Sequence, residues 1–296
     1  MRETLESNAS EEKVAQFELI TPQIAIAYLK LNDCHNRKIS KQKVAEYVRI
    51  IKHGDWKTTH QGIAFLKDGH LGDGQHRLLA IIESGIPVYV MVTRGLTRDD
   101  LMAVDRGQKR SVNDVVTMSS FTDDAHTDIM SNSKVISALT QLASCNYKRM
   151  GFSASEIKRM MDVFSDQSEF IYENIVTKAY SKNCTAVINA AAIAAMYCGV
   201  HKDIILKFYD VFCKADISGC EGFNIRAALN WRRQIDAMKA KHVQIDKTKM
   251  FLATQNAIWH FANNTSVSTI KVPAAPRYDV RDQIIRALGI TGEAAA

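Results

Sequence analysis

The sequence predicts an α+β domain followed by an all-α domain, on three observations. Up to about residue 118, short apolar runs of strand character alternate with helical periods. Past Ser119 one helical period follows another almost without interruption, and no internal repeat relates the two parts. A chain of 296 residues is long enough for two domains, and 46% hydrophobic with 24% charged residues is the composition of a soluble globular protein. The expected organisation is a polar tail over 1–16, an α+β domain over 17–118 and a helical domain over 119–296.

In the first domain, Phe17 to Ile20 reads as a strand closed by Thr21-Pro22, and Gln23 to Leu31 as a helix entered through those two residues. Ser40 caps a helix whose apolar positions Val44, Tyr47, Val48 and Ile51 fall at helical spacing and which stops at His53-Gly54. Ile63 to Leu66, the turn Lys67-Asp68-Gly69 and His70-Leu71 form a hairpin. A helix from the Gly74 region to Ser84-Gly85 follows, then a strand over Ile86 to Val92. Thr97-x-x-Asp100 has the form of a capping box ahead of Leu101, Met102 and Val104, and Ser111 and Asp114 open a short helix to about Met118.

In the second domain, helices are expected over Ser131–Ser144, from the capping box Ser153-x-x-Glu156 to Phe164, and over Glu169–Tyr180, Thr185–Cys198, Asp203–Ala215, Asn224–Lys241, Lys247–Asn263 and Val280–Leu288. One strand is expected, over Val267–Val272.

Bulk properties exclude some functions. No apolar run reaches the ~18 residues of a membrane span, and the acidic start lacks a basic-then-apolar leader, so a cytoplasmic protein without a membrane partner is expected. A net charge of +6 permits nucleic-acid contact without requiring it. The six cysteines show no C-x-x-C pair and no zinc spacing, so free thiols are expected.

The functional signal concentrates in Gly72-Asp73-Gly74-Gln75-His76-Arg77, at the joint between a hairpin and a helix. Uncapped N–H groups and the positive end of the helix dipole suit an anion there, and Arg77 adds a forked donor. Two more loops carry similar chemistry: Asn36-Arg37 and Asp105-Arg106-x-x-x-Arg110. Together they suit a polyphosphate. Asp73 is placed to hold a Mg ion or act as general base, and His76 to bind phosphate or move a proton. Against this stands the plainer reading, in which Asp73 caps the helix and Arg106 and Arg110 are solvated charges. In the helical domain, Arg226, Arg232 and Arg233 give one helix a basic face beside Trp231, either a solvated face over a core tryptophan or a nucleic-acid stripe.

The order of these pieces resembles the ParB/sulfiredoxin superfamily, in particular phage and mobile-element proteins with a ParB-like nuclease domain. It runs from Asn36-Arg37, through a capped helix ending Gly54-Asp55-Trp56 and an apolar strand, to Asp73-Gly74-Gln75-His76-Arg77 and Asp105-Arg106-Gly107 with Arg110-Ser111. The likeness covers residues 17 to about 118. It implies a compact nucleotide-binding domain whose His76-Arg77 turn holds phosphates and whose Asn36-Arg37 box contacts the nucleotide. ATP or CTP is the implied cofactor, with Mg. The sequence departs from the family at Gln75, which stands where the reductase members carry a reactive Cys. The turn also differs from the Gly-Glu-Arg-Arg of the DNA clamps, and no helix-turn-helix reader is identifiable in the sequence after it.

The resemblance implies a nucleotide-binding, DNA-associated protein with NTPase or nuclease chemistry, with a second copy of itself as a further partner. Two alternatives stand beside it: a small-molecule phosphotransferase with Asp73 as base, and a non-catalytic regulator that keeps the fold. Nuclease chemistry ranks below NTP binding, because no second carboxylate lies near Asp73 in sequence to complete a two-metal site.

Overall fold

The structure, a computed structural model, describes residues 13–33, 36, 38–104, 129, 132–147, 152–178, 180, 185–243 and 246–289. It is a mixed α+β protein that divides into two compact units, Met1–Lys109 and Arg110–Ala296. The boundary expected at residue 118 and the short helix expected after Ser111 fall outside the described residues.

The first unit contains β1 (Val14–Ile20), α1 (Pro22–Leu29), α2 (Lys41–Lys52), β2 (Ile63–Leu66), β3 (Leu71–Asp73), α3 (Gln75–Ser84), β4 (Val88–Leu96) and α4 (Arg98–Val104). The strands form one sheet in the order β1-β4-β2-β3. β4 runs antiparallel to β1 and parallel to β2, and β2 and β3 form the antiparallel hairpin. Period-two alternation turns Ile20, Ile63, Phe65, Leu71, Val88, Val90 and Val92 to one face. There they bury against Ala25 of α1, Val44 and Ile51 of α2, and Leu78 and Ile81 of α3. The helices start where local chemistry says they should. The Thr21 hydroxyl accepts from Ile24 N, the Ser40 hydroxyl from Lys43 N, and Thr97 and Asp100 cap each other reciprocally.

The regular elements described in the second unit are all helices: α5 (Ser133–Tyr147), α6 (Ala154–Val163), α7 (Ser165–Ile171), α8 (Ala186–Tyr197), α9 (Lys202–Tyr209), α10 (Ile225–Ala240), α11 (Lys247–Ala262) and α12 (Arg281–Leu288). Two π-helical turns, Tyr172–Val176 and Asp210–Lys214, extend α7 and α9. The centre is α8, buried at every position from Val187 to Met196 and packed against α5 and α11. Its alanines allow that close approach. The capping box at Ser153 and Glu156 is present in both directions.

Two expectations fail. Residues 14–16, expected in the polar tail, open β1, because they pair in register with Val92, Thr93 and Arg94. Residues 267–272 form no strand. Their backbone is held by side-chain amides from the flanking helices instead of by a second strand. Gln234 of α10 donates to Ile270 O at 3.0 Å and accepts from Ile270 N at 2.8 Å. Beyond the segment, Gln255 of α11 does the same with Tyr278, at 2.9 and 3.3 Å. Asn230 and Asn256 add bonds to Ser268 O and Lys271 O. A primary amide offers the same donor and acceptor pair as a peptide group, so it can replace the missing strand.

Candidate functional site

The turn after β3 is built by Gly74. Its φ of 108° is a left-handed conformation that a side chain resists, and a Cβ there would stand 3.0 Å from Ile63 Cα. Gly74 is therefore the N-cap residue of α3, and no side chain caps that helix. The Asp73 carboxylate turns back onto the turn itself, accepting from Gly74 N at 2.8 Å. Gly72 has a packing reason for its missing side chain: a Cβ would lie 2.4 Å from Leu101 Cδ1, where α4 covers the back of the sheet.

His76 makes the contact that shapes the site. Its Nε2 accepts from Ser40 N at 2.9 Å. Ser40 is the N-cap of α2, so one hydrogen bond ties the N-termini of α2 and α3 together. Neither helix has an acidic residue in its first turn. Two positive dipole ends thus converge without a side-chain carboxylate in either first turn to offset them.

Arg77 is more deeply placed than a solvent-facing phosphate ligand, with its side chain only 15% exposed. Its Nη1 donates to Gly62 O at 3.0 Å, and its guanidinium lies 5.7 Å from the Tyr47 ring centre and 3.9 Å from Asp73 Oδ2. Lys43 Nζ stands 4.7 Å from the same ring, so α2 brings a second cation to this end of the unit. One of the five guanidinium N–H donors is committed to Gly62, and the rest of the group braces α3 against α2. Gln75 is buried.

Asn36 acts on the scaffold. Its amide donates to Leu71 O at 2.6 Å and to Asn32 Oδ1 at 2.8 Å, lacing the preceding loop onto β3. Asp33, beside it, is buried and paired with Arg98 of α4. Arg37, Asp105, Arg106 and Arg110 lie outside the described residues. Among the described residues no group of three or more His, Cys, Asp or Glu side chains is placed to hold a metal ion. A Mg ion carried by phosphates needs only one or two protein carboxylates, and Asp73, at the mouth of the turn and 47% exposed, fits that requirement.

In the second unit Trp231 is buried and donates to Thr254 Oγ1 at 3.0 Å, as a core tryptophan. Arg226 and Arg233 are exposed, whereas Arg232 pairs with Asp236 at 2.7 Å. The four described cysteines, Cys145, Cys198, Cys213 and Cys220, are free thiols. No helix among the described residues is long and apolar enough to cross a membrane.

Comparison of the chain with protein-family models, with curated proteins and with solved structures finds no match. The functional reading therefore rests on the site's own geometry and on the motif order in the sequence. Sequence reasoning missed Ser40 and Tyr47 as parts of this site. The Ser40 cap was visible as a helix start, but nothing local signals its bond to a histidine 36 positions later.

Proposed function

We propose that the first unit binds the phosphates of a nucleoside triphosphate, ATP or CTP, where the N-termini of α2 and α3 meet, and that the protein works in association with DNA. The observation that carries this reading is the Ser40–His76 hydrogen bond, which joins two helix N-termini lacking first-turn carboxylates. The uncapped first turn of α3 offers backbone N–H groups to phosphate oxygens. The Arg77 guanidinium adds N–H donors beyond the one held by Gly62, His76 keeps the two N-termini together through Ser40, and Asp73 takes the Mg ion that travels with the phosphates. The order of motifs shared with the ParB/sulfiredoxin superfamily supports the same site. DNA association draws on that likeness and on the exposed Arg226 and Arg233 of α10. Hydrolysis of the nucleotide is the activity this arrangement favours, with strand cleavage behind it.

A second reading has one observation in its favour. The half-exposed Asp73 carboxylate beside the phosphate site is placed to take a proton from an acceptor hydroxyl, as a small-molecule phosphotransferase requires. Metabolite-stimulated, DNA-indifferent turnover that is lost in Asp73→Asn separates it from the first.

Titration calorimetry with ATP and with CTP, each with magnesium, tests the site. The unaltered chain should bind at least one of them. His76→Ala should bind about 10- to 100-fold more weakly, because losing the bond to Ser40 lets the two helix N-termini separate. Absence of binding heat with both nucleotides, or unchanged affinity in His76→Ala, would end the proposal.

A further inference from the structure

The two edges of the four-stranded sheet differ in how they are protected. The β3 edge is three residues long and closed by a loop. Leu71 N donates to Leu31 O at 2.7 Å, and Leu71 O accepts from Asp33 N and from the Asn36 amide. The β1 edge runs seven residues in unbroken register with β4. Among the described residues, its outward side has no backbone partner. Sheets usually guard such an edge with proline, lysine or a bulge, and Val14–Ile20 contains none of these. Its one charge, Glu18, is neutralised by Arg94. On the back face Phe17 is 58% exposed and Leu19 44%, beside Tyr89 of β4 at 57%. The back-face positions of the two strands, Ala15, Phe17, Leu19, Tyr89, Met91 and Thr93, carry no charge.

We propose that β1 is the interface of a homodimer, pairing antiparallel with β1 of a second copy about a two-fold axis at Phe17 to join two four-stranded sheets into one of eight. Charge and side-chain pattern favour a second copy. An axis at Phe17, the midpoint of the strand, sets Val14 opposite Ile20, Ala15 opposite Leu19 and Gln16 opposite Glu18. No like charges face each other, and since Gln16 and Arg94 already satisfy Glu18 within each copy, no unpaired charge enters the seam. Phe17 packs on Phe17 across the axis, and the two exposed back faces become one apolar surface. A one-residue slip would set Phe17 beside core-side residues, so the face pattern fixes the register. One strand with its flanking side chains covers less than the ~1,600 Å² of a standard interface, so the dimer dissociates on dilution. The pairing does not involve the phosphate site and stands or falls apart from nucleotide binding.

Sedimentation equilibrium of the full chain tests it. The average mass should rise with concentration from 33.1 kDa towards twice that value. The double variant Phe17→Lys, Leu19→Lys should stay at 33.1 kDa with an unchanged circular dichroism spectrum, since both side chains are exposed. As a second measurement, Phe17→Cys should form covalent dimers with a short bis-maleimide. Tyr89→Cys, one strand further in, should cross-link no more than the unaltered chain. The proposal is overturned if the unaltered chain is a monomer at every concentration reached, if the folded lysine variant dimerises as well as the unaltered chain, or if Tyr89→Cys cross-links as readily as Phe17→Cys.

Discussion

Glu18 ties three parts of the first unit together. Its carboxylate accepts from Arg94 of β4 and, at 2.8 Å, from the Tyr28 hydroxyl of α1. The Arg94 hydrogen bond holds its pKa down to about 2, against the opposing effect of burial. A carboxyl whose folded pKa is depressed stabilises the fold above its ordinary value, here 4.5, and the contribution is lost as pH falls through about 2. Glu18→Gln should therefore destabilise the unit by roughly 1–3 kcal/mol at pH 7, with solvent around Arg94 holding the value in that range. The difference should shrink towards nothing by about pH 2. Urea denaturation of both proteins at the two pH values measures it, and a pH-independent gap would show that the ion pair is not the cause. Such pairs mark the limit of what the sequence displays. Caps at Thr21, Ser40, Thr97 and Ser153 are legible because each acts over three residues. Glu18 and Arg94 are 76 positions apart, and Arg77 of α3 is 15 positions from Gly62, just ahead of β2, so only the assembled fold shows their partnership.

At the scale of elements, the segment near residue 270 shows how a pattern misleads. Val267, Thr269, Ile270 and Val272 are β-branched and read as a strand. β-branching favours an extended backbone, but it does not specify what pairs with it. Here Gln234 and Asn256 do so from helices, and Gln255 holds the chain further on, at Tyr278. Gln255 is buried, so Gln255→Ala leaves Tyr278 N and O without partners in the interior and should cost about 2–4 kcal/mol. Hydrogen exchange at the Tyr278 amide should accelerate in that variant. Unchanged protection there would mean that the glutamine does not hold the segment. The π-helical turns at 172–176 and 210–214 were equally invisible, since an added residue per turn leaves no compositional mark. The helices themselves were legible. Long amphipathic or wholly apolar periods, such as those of α8 and α11, carry their own boundaries.

For the whole molecule, the mixed α+β class and the change of texture along the chain were readable from periodicity. The packing that gives each unit its own core was not. Leu78 and Ile81 belong to one buried cluster, and Phe208, fully buried among Phe212, Phe261 and Tyr209, belongs to the other. Phe208→Ala should destabilise the second unit by about 3–5 kcal/mol. Because the clusters share no residue, amide exchange at Leu78 and Ile81 should not change. Equal acceleration in both units would show that they unfold as one.

The pairing of β1 with β4 has a consequence in time. Val14 pairs with Arg94, so about 80 residues of chain must follow the first strand before its partner exists. At the ~5–20 residues per second of synthesis, β1 waits roughly 4–16 s on the ribosome, with both of its edges open and Phe17 and Leu19 uncovered. Among the described strands of this sheet, β1 is made before the others and placed only when β4 arrives. During that interval a nascent chain on a neighbouring ribosome presents the same strand, so assembly and misassembly of this protein compete while it is still being made.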